Sequence, residues 1–307
     1  MRLVSDHVRV RVPATSANLG PGFDCMGLAL AHYDTIEVRA LGRPDVHVEV
    51  VGEGAGELPT GEDHLVVRAI RAALDAVGAP QVGLELVCEN RIPHGRGLGS
   101  SAAAVVAGIL AVRMMINEPD ALRNTAAFGI ATQFEGHPDN AAPAILGGAT
   151  VSWTGADGPH ATQLPLHDDV VPVLLVPDER CATRTARGVL PATVPHADAA
   201  FTAGRAALLV QALCHRPELL YEATAERLHQ EYRAMVMGPT WQLVRALREA
   251  GQAAVVSGAG PSVLVLERAS DGDAGVTARA EVLAEVPGRW TALTPGVATD
   301  GALAERL

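Results

Sequence analysis

Apolar and polar residues alternate in several short segments of the chain, which is the pattern of half-buried β-strands. The first of these segments runs from Val8 to Val12, and Pro13 is expected to end it. Further strands are predicted over 33–41, 46–51, 83–89, 170–176, 253–256, 263–266 and 289–292, with a hairpin over 151–166. The run over 170–176 is apolar throughout, so we expect that strand to be buried on both faces.

Apolar residues at helical spacing predict a second class of elements between these strands. The predicted helices cover 64–77, 101–116, 124–134, 197–213, 219–229, 241–250 and 276–286, with a short helical piece near 184–187. The helix over 101–116 is apolar on nearly every side, so we expect it to be central and buried. A boundary is predicted at residues 165–169, which divides the chain into domains 1–167 and 168–307.

Composition narrows the class of protein. Hydrophobic residues make up 48% of the 307 residues but only 3% are aromatic, so a large core must be built from alanine, valine and leucine. The formal net charge is −11, and the sequence has no lysine, so its strongly basic side chains are all arginines. An acidic chain with few aromatic rings argues against nucleic-acid binding, whereas small molecules and free nucleotides remain suitable partners.

Cysteine usage and hydropathy indicate a location for the protein. The four cysteines, at positions 25, 88, 181 and 214, are far apart and lack metal-binding spacing, so we expect free thiols in a reducing compartment. No apolar run reaches the length of a membrane span, and the first residues do not resemble a signal peptide. We therefore expect a cytoplasmic protein without membrane association. The oligomeric state is left open, with a homodimer as one option.

The most distinctive stretch runs from Pro93 to Ala104, where three glycines alternate with other residues before a pair of serines. Glycine permits a left-handed backbone and a close approach to a ligand, and Ser100 or Ser101 is predicted to cap the following helix. Backbone amides at the positive end of a helix form a phosphate site. The Walker motif is excluded, because it needs a lysine. The alternative is a turn of small residues that only packs a buried helix.

Polar residues cluster in two further places that could face a ligand. Asn18 and Asp24 lie in the segment 14–30, where small polar residues with Gly20, Pro21 and Gly22 predict a compact loop between two apolar segments. The spacing of Asn18 and Asp24 alone favours simple turn formation. The second cluster packs four polar residues into six positions: Glu135, His137, Asp139 and Asn140. That density is unusual for a mere connector. A second glycine-rich turn covers 257–262, and a tight hairpin explains this sequence equally well.

Three of these motifs stand in the order found in the GHMP small-molecule kinases. Residues 93–104 resemble the phosphate loop of that superfamily, residues 12–24 resemble its first motif, and residues 257–262 resemble its third. The first motif, together with 135–140 and 185–191, closely resembles the homoserine kinase versions. The resemblance implies an α+β fold of two domains, the first like ribosomal protein S5 domain 2 and the second ferredoxin-like, with the active site between them.

The same resemblance implies a reaction, in which the hydroxyl of L-homoserine is phosphorylated by ATP, with Mg²⁺, to give O-phospho-L-homoserine in threonine biosynthesis. The implied ATP-binding residues are Pro93, His94, Gly95, Arg96, Gly97, Leu98, Gly99, Ser100, Ser101, Ala102, Ala103, Gly258 and Gly260. The implied substrate-binding residues are Asn18, Asp24, His137, Asp139, Arg187 and Arg233. The implied catalytic residues are Ser101, Asp139 and Asn140, and the implied metal ligands are Ser101 and Glu135. No dedicated general base is implied, because the hydroxyl proton is thought to pass to the phosphoryl oxygens.

The sequence departs from the family pattern at several positions. His64 and Thr202 stand where the family usually has asparagines, the first of which helps to bind the nucleotide. An acidic metal ligand is usual upstream of the His-x-Asp motif, but Gly129 and Gln133 occupy the positions that would suit it, which leaves Glu135. Judged without the family, Arg233 is expected to be a solvated arginine at a helix end.

Two alternatives remain open: a kinase for another small alcohol, and a catalytically silent nucleotide-binding regulator. The paired acids and arginines favour an amino-acid acceptor, because mevalonate has no ammonium group and a sugar needs no arginine fork. A dinucleotide-binding dehydrogenase is disfavoured, because its glycine motif would lie in the first βα unit with a different spacing.

Overall fold

The computed structural model describes residues 1–307 and forms two β-sheets with helices packed against them. The strands are β1 (His7–Ala17), β2 (Met26–Leu41), β3 (Val46–Gly52), β4 (Gly83–Asn90), β5 (Ala149–Gly155), β6 (Gly158–Leu164), β7 (Val170–Pro177), β8 (Ala254–Val256), β9 (Val263–Arg268), β10 (Trp290–Leu293) and β11 (Leu303–Arg306). The first sheet has the order β11-β1-β2-β4-β3, with β5 paired to both β2 and β6. The second sheet has the order β10-β7-β9-β8. The predicted α+β class is confirmed.

Helices pack against both sheets. They are α1 (Leu65–Ala76), α2 (Ser100–Met115), α3 (Asn124–Glu135), α4 (Ala141–Leu146), α5 (Thr183–Gly188), α6 (His196–Cys214), α7 (Leu220–Ala223), α8 (Gln230–Arg233), α9 (Gly238–Glu249) and α10 (Asp273–Glu285). Most of α2 is buried, which confirms the central helix predicted from its apolar sequence. Sequence patterns gave no sign of α4 or β11.

Pro13 lies inside β1, so the prediction that it ends this strand is wrong. The register of β1 against β2 shifts between Pro13 and Ala14. Such a bulge accommodates proline, because proline has no backbone N–H to donate to the neighbouring strand. The strand therefore continues to Ala17 and carries the chain directly to the candidate site.

The compact loop predicted around Gly20, Pro21 and Gly22 is present, with a strand on each side of it. Residues 18–25 alone connect β1 to β2. Asn18 and Asp24 stand near the two ends of this connection, and both have left-handed backbones, with φ angles of 71° and 58°. The Asp24 backbone amide donates to Asn18 Oδ1 at 2.9 Å, which closes the connection on itself.

The prediction of a single helix over 219–229 is wrong, because α7 is one turn long and an irregular stretch follows it. In that stretch the Glu226 carboxylate accepts hydrogen bonds at 2.5–2.9 Å from the backbone amides of Leu228, His229 and Gln230. In a continuous helix these amides would donate to carbonyls one turn earlier. The carboxylate takes their place, so a new helical turn begins at α8.

The chain passes between the two sheets twice. It leaves the first sheet after β6, and residues 294–302 bring it back, so that β11 pairs with β1. Both crossings line the same cavity of about 640 Å³, which Leu166, His167 and Val297 help to form. The predicted domain division at 167/168 coincides with the first crossing and stays a prediction.

The cysteines are free thiols, as predicted. Burial raises the pKa of the Cys88 thiol to about 12, so this group stays protonated. No helix combines the length and the apolar character that crossing a bilayer requires.

Candidate functional site

The glycine loop leads from β4 into α2, which is the context predicted for a phosphate site. Gly95, Gly97 and Gly99 have left-handed φ angles of 65°, 72° and 71°. A Cβ atom on Gly97 would lie 2.2 Å from the Ser257 carbonyl oxygen, and one on Gly99 would lie 1.9 Å from Thr15 Oγ1. The loop therefore packs directly against β1 and the β8–β9 turn, which only glycine permits at these two positions.

Helix α2 begins without a side-chain cap. Gly99 occupies the N-cap position and Ser100 is the first helical residue, so the prediction that Ser100 or Ser101 caps the helix is wrong. The Ser101 hydroxyl instead donates to Glu135 Oε1 at 2.6 Å. The first amides of the helix have no intrahelical partner, and they are available to an anion at this end.

A cavity of about 360 Å³ lies in front of the loop, lined by residues from both halves of the chain. It brings together most of the predicted site residues: Asn18, Gly95, Gly97, Leu98, Gly99, Ser100, Ser101, Glu135, His137, Asp139, Asn140, Arg187, Arg233 and Gly258. Sequence reasoning missed four further lining residues: Ala17, Phe134, Thr183 and Ala259. Of these, Thr183 was detectable, because it begins the helical turn that ends near Arg187.

Several predicted ATP-binding residues do not line this cavity. The Arg96 side chain points to the second sheet, where Nε and Nη2 donate to the carbonyls of Pro177 and Asp178 at 2.8 and 2.9 Å. It therefore holds the loop against the end of β7. Ala102 and Ala103 are buried within α2. Three others also lie outside the lining: Pro93, His94 and Gly260.

Asp24 and Arg187 form an ion pair that joins the β1–β2 connection to α5. Two hydrogen bonds link the groups, with N–O distances of 2.5 and 3.2 Å. Burial lowers the pKa of Arg187, but the hydrogen bond and charge of Asp24 outweigh that effect and raise it overall. The Arg187 Nε atom is buried without a partner, so part of this guanidinium remains available.

Asp139 supplies a second carboxylate. One of its oxygens is hydrogen-bonded to His137 Nδ1, whereas Oδ2 is buried without a partner. Burial lowers the pKa of His137, but the bonded Asp139 carboxylate raises it by more. The ligand atoms of Asp24, His137 and Asp139 lie within 4.8 Å of one another, but of the two carboxylates only Asp139 lines the cavity, and Asp24 lies behind it. Next to them, Asn140 Oδ1 accepts a hydrogen bond from Thr15 Oγ1 at 2.8 Å.

Arg233 is fully buried, so the expectation of a solvated arginine at a helix end is wrong. Its Nη1 atom donates to the Gly258 carbonyl at 2.8 Å and lies 3.2 Å from His229 Nδ1. The Nε and Nη2 atoms are buried without partners. Burial, and then the charge of Arg187, lower the pKa of Arg233 to about 10, so it is still cationic near neutral pH.

A second cavity, of about 290 Å³, continues from the glycine loop. It shares Gly95, Ser100 and Ser101 with the first cavity, and its other walls include Asp34, Ile36, Leu58, Pro59, His64 and His94. The His64 side chain is buried, and its Nδ1 atom has no partner. Apolar walls with a few polar groups suit a flat ring with polar edges.

Sequence comparison relates this chain to known proteins. Residues 64–148 match the family model described as GHMP kinases N terminal domain. The chain is 51% identical to a homoserine kinase of Streptomyces coelicolor over 296 residues, which make up 96% of this chain and 93% of that protein. It is also 51% identical to a homoserine kinase of Clavibacter michiganensis, with 96% and 92% of the two chains covered.

Structural comparison gives the same fold. The crystal structure of a homoserine kinase from Cytophaga hutchinsonii matches with a TM-score of 0.84 at 24% identity, covering 98% of both chains. A mevalonate kinase of L. major matches with a TM-score of 0.65 at 15% identity, covering 95% of this chain and 98% of that one. The fold predicted from the motifs is therefore confirmed.

Proposed function

The chain belongs to the homoserine kinases of the GHMP kinase superfamily, and from this premise we propose that it transfers the γ-phosphoryl group of ATP to the side-chain hydroxyl of L-homoserine. One observation supports the proposal most strongly. The first cavity has a phosphate-type loop on one wall, and carboxylates and arginines on the others. The acceptor is a zwitterion, so it needs both of those charges beside a phosphate site.

We propose that the nucleotide occupies both cavities. Its phosphates would lie against Gly97, Gly99 and Ser100, where backbone amides and the start of α2 favour negative charge. Its base and ribose would extend into the second cavity, which begins at the same loop. His64 stands in that cavity in place of the usual asparagine, so its unpartnered nitrogen is available to the nucleoside.

The residues present also fit a magnesium ion. Mg²⁺ prefers oxygen ligands, and the Ser101 hydroxyl and the Glu135 carboxylate are adjacent at the edge of the phosphate loop. Burial raises the pKa of Glu135, and a bound cation would favour its ionised form. When bound, the ion neutralises charge on the phosphate oxygens.

The acceptor would be held by its two charged ends. Asn18 and Asp139 in the cavity wall, with Asp24 close to Asp139, suit the ammonium group, and Arg187 and Arg233 suit the carboxylate. The side-chain hydroxyl then points to the phosphate loop. In transfer, the hydroxyl oxygen bonds to the γ-phosphorus, the bond from phosphorus to the ADP oxygen breaks, and the proton passes to a phosphoryl oxygen. Alignment and charge neutralisation account for most of the catalysis in this reaction class.

A coupled assay of ADP formation with ATP, Mg²⁺ and L-homoserine tests the proposed function. We expect ADP formation that depends on L-homoserine, with little activity on mevalonate or galactose. Homoserine-independent turnover, or a preference for an alcohol without an ammonium group, would contradict the proposed substrate. ATP binding with no transfer to any acceptor would instead support a silent regulator.

Asp139→Asn separates substrate binding from base catalysis. If Asp139 holds the ammonium group, the KM for L-homoserine should rise by roughly 10–100-fold while kcat changes only a few-fold. The KM for ATP serves as the internal control and should not change. A fall in kcat without a change in KM would show that this carboxylate accepts the hydroxyl proton.

We also propose a cytoplasmic site for the reaction. The support is the set of four free cysteines, which stay reduced in that compartment.

A further inference from the structure

His229 is a fully buried histidine behind the first cavity, which we call the acceptor cavity because it is the proposed site of the acceptor. Its Nε2 atom lies 2.9 Å from the Gly20 carbonyl oxygen, which belongs to the β1–β2 connection. Its Nδ1 atom lies 3.2 Å from Arg233 Nη1. The ring stacks on Phe23, with centroids 4.9 Å apart. The imidazole ring therefore contacts the β1–β2 connection on one side and Arg233 on the other.

These two contacts fix the protonation of the ring. A carbonyl oxygen only accepts hydrogen bonds, so Nε2 must carry a hydrogen toward Gly20. A guanidinium only donates, so Nδ1 must offer its lone pair to Arg233. His229 is therefore neutral, in the Nε2–H tautomer. Burial lowers the pKa of His229 and outweighs the Glu226 carboxylate, which lies 3.9 Å from Nε2 and favours the cation, so the shift agrees with this assignment.

The bonds to Arg233 also decide which of its edges remains free. Nη1 has two hydrogens, and its two partners are the Gly258 carbonyl, at 2.8 Å, and His229. The Nε and Nη2 atoms are left without partners, and Arg233 lines the acceptor cavity. Nε and Nη2 form the side edge of a guanidinium, which can bind both oxygens of one carboxylate.

We propose that His229 is a positioning residue that presents this edge of Arg233 to the carboxylate of the acceptor, and thereby selects acceptors that carry a carboxylate. The inference rests on the proposed function, because it assumes that the acceptor cavity holds an amino acid. Without the Nδ1 acceptor, Nη1 loses a partner, and the guanidinium can turn away from the substrate.

Two substitutions of similar size separate the two ring contacts. In His229→Asn the amide oxygen can reach the former Nδ1 position and accept from Arg233. In His229→Gln the longer amide can reach Gly20 in place of Nε2, but it leaves Arg233 without its acceptor. The measurement is the ratio of kcat/KM for L-homoserine to kcat/KM for L-homoserine methyl ester, whose carboxylate is blocked.

We expect this ratio to fall at least ~10-fold in His229→Gln and to stay within about 3-fold of wild type in His229→Asn. The KM for ATP should not change in either variant, because His229 lines neither of the two cavities. A general loss of structure would lower activity on both substrates alike and leave the ratio unchanged. An unchanged ratio in a folded His229→Gln protein would overturn the proposal.

A double substitution tests whether His229 acts through Arg233. Arg233→Lys removes the guanidinium edge, so adding His229→Gln to it should not lower the ratio further. Independent, multiplicative losses would mean that His229 acts by another route, and the proposal would fail.

NMR on the unmodified protein tests the inference even if the variants do not fold. The ¹⁵N signals of His229, identified by their loss in His229→Asn or by resonance assignment, should show a neutral Nε2–H ring near pH 7. An imidazolium or an Nδ1–H tautomer would overturn the inference. If wild-type protein does not phosphorylate L-homoserine, the proposed function fails instead, and the NMR result still decides the hydrogen bonding.

Discussion

Asp34 is a carboxylate held almost entirely out of water in the wall of the second cavity, with 4% of its surface exposed. Its Oδ1 atom accepts hydrogen bonds from the backbone amides of Arg91 and Ile92 at 2.6 and 2.8 Å. These bonds favour the ionised form, but burial is the larger effect and raises the pKa of Asp34 to about 6. The ionised carboxylate therefore costs stability at neutral pH.

This shift gives stability a definite dependence on pH. The pKa of Asp34 is higher in the folded state than in the unfolded state, where it is about 3.9, so its ionisation destabilises the fold as pH rises from about 4 to 6. The full effect, present above pH 6, is on the order of 3 kcal/mol.

Asp34→Asn should therefore stabilise the protein at pH 8. Its amide oxygen can keep accepting from the Arg91 and Ile92 amides, while the buried charge disappears. We expect the free energy of unfolding in urea to rise by about 1–3 kcal/mol at pH 8, with the gain vanishing near pH 4. Asp6→Asn removes an exposed charge and should change stability by less than about 0.5 kcal/mol. A gain that does not vary with pH would contradict this account.

Among the elements, the glycine loop has the least room for an added side chain. Gly97→Ala would place a Cβ atom 2.2 Å from the Ser257 carbonyl at a φ of 72°, so the loop must shift. We expect kcat/KM for ATP to fall at least ~100-fold.

Gly56→Ala is the matched control for Gly97→Ala, because Gly56 has a φ of 75° but no atom within 4 Å of an added Cβ. It should cost about 1–2 kcal/mol of stability through backbone strain and leave ATP kinetics unchanged. Equal kinetic losses in the two variants would mean that the loss does not depend on the contact with Ser257.

Sequence patterns were sufficient to predict the elements that depend only on residues close together in the chain. The apolar surface of α2 and the continuous apolar run of β7 predicted a buried helix and a buried strand, and both were found. The glycine loop likewise follows from glycine geometry. Its helix start was mispredicted, since Gly99 and not a serine holds the N-cap position.

Other features depend on contacts between distant parts of the chain, and sequence patterns could not reveal them. The bulge that admits Pro13 exists because β2 pairs alongside it. The break between α7 and α8 arises because the carboxylate of the buried Glu226 side chain accepts from nearby amides. Arg233 looked solvated because its partners, Gly258 and His229, meet it only in the folded protein.

At the scale of the whole molecule, the acceptor cavity takes residues from both halves, so ligands should stabilise the entire fold. A ligand at 100 times its Kd adds about 2.7 kcal/mol to the free energy of unfolding. In wild-type protein, L-homoserine and Mg²⁺–ADP should each raise the melting temperature at such concentrations.

Arg187→Met should remove most of the increase caused by L-homoserine and retain the increase caused by Mg²⁺–ADP. The reason is that Arg187 faces the acceptor cavity and lies outside the second cavity. Differential scanning calorimetry at fixed ligand concentrations measures both effects. If the variant loses both increases in melting temperature equally, Arg187 supports the fold and does not bind the acceptor.

The two segments that cross between the sheets line one cavity. Leu166 and His167 belong to the first crossing, and Val297 belongs to the second. Together with the bonds from Arg96 in the glycine loop to the carbonyls of Pro177 and Asp178, these crossings join the two halves at more than one point. A pair of spin labels, one in each half, should therefore report a single narrow distance.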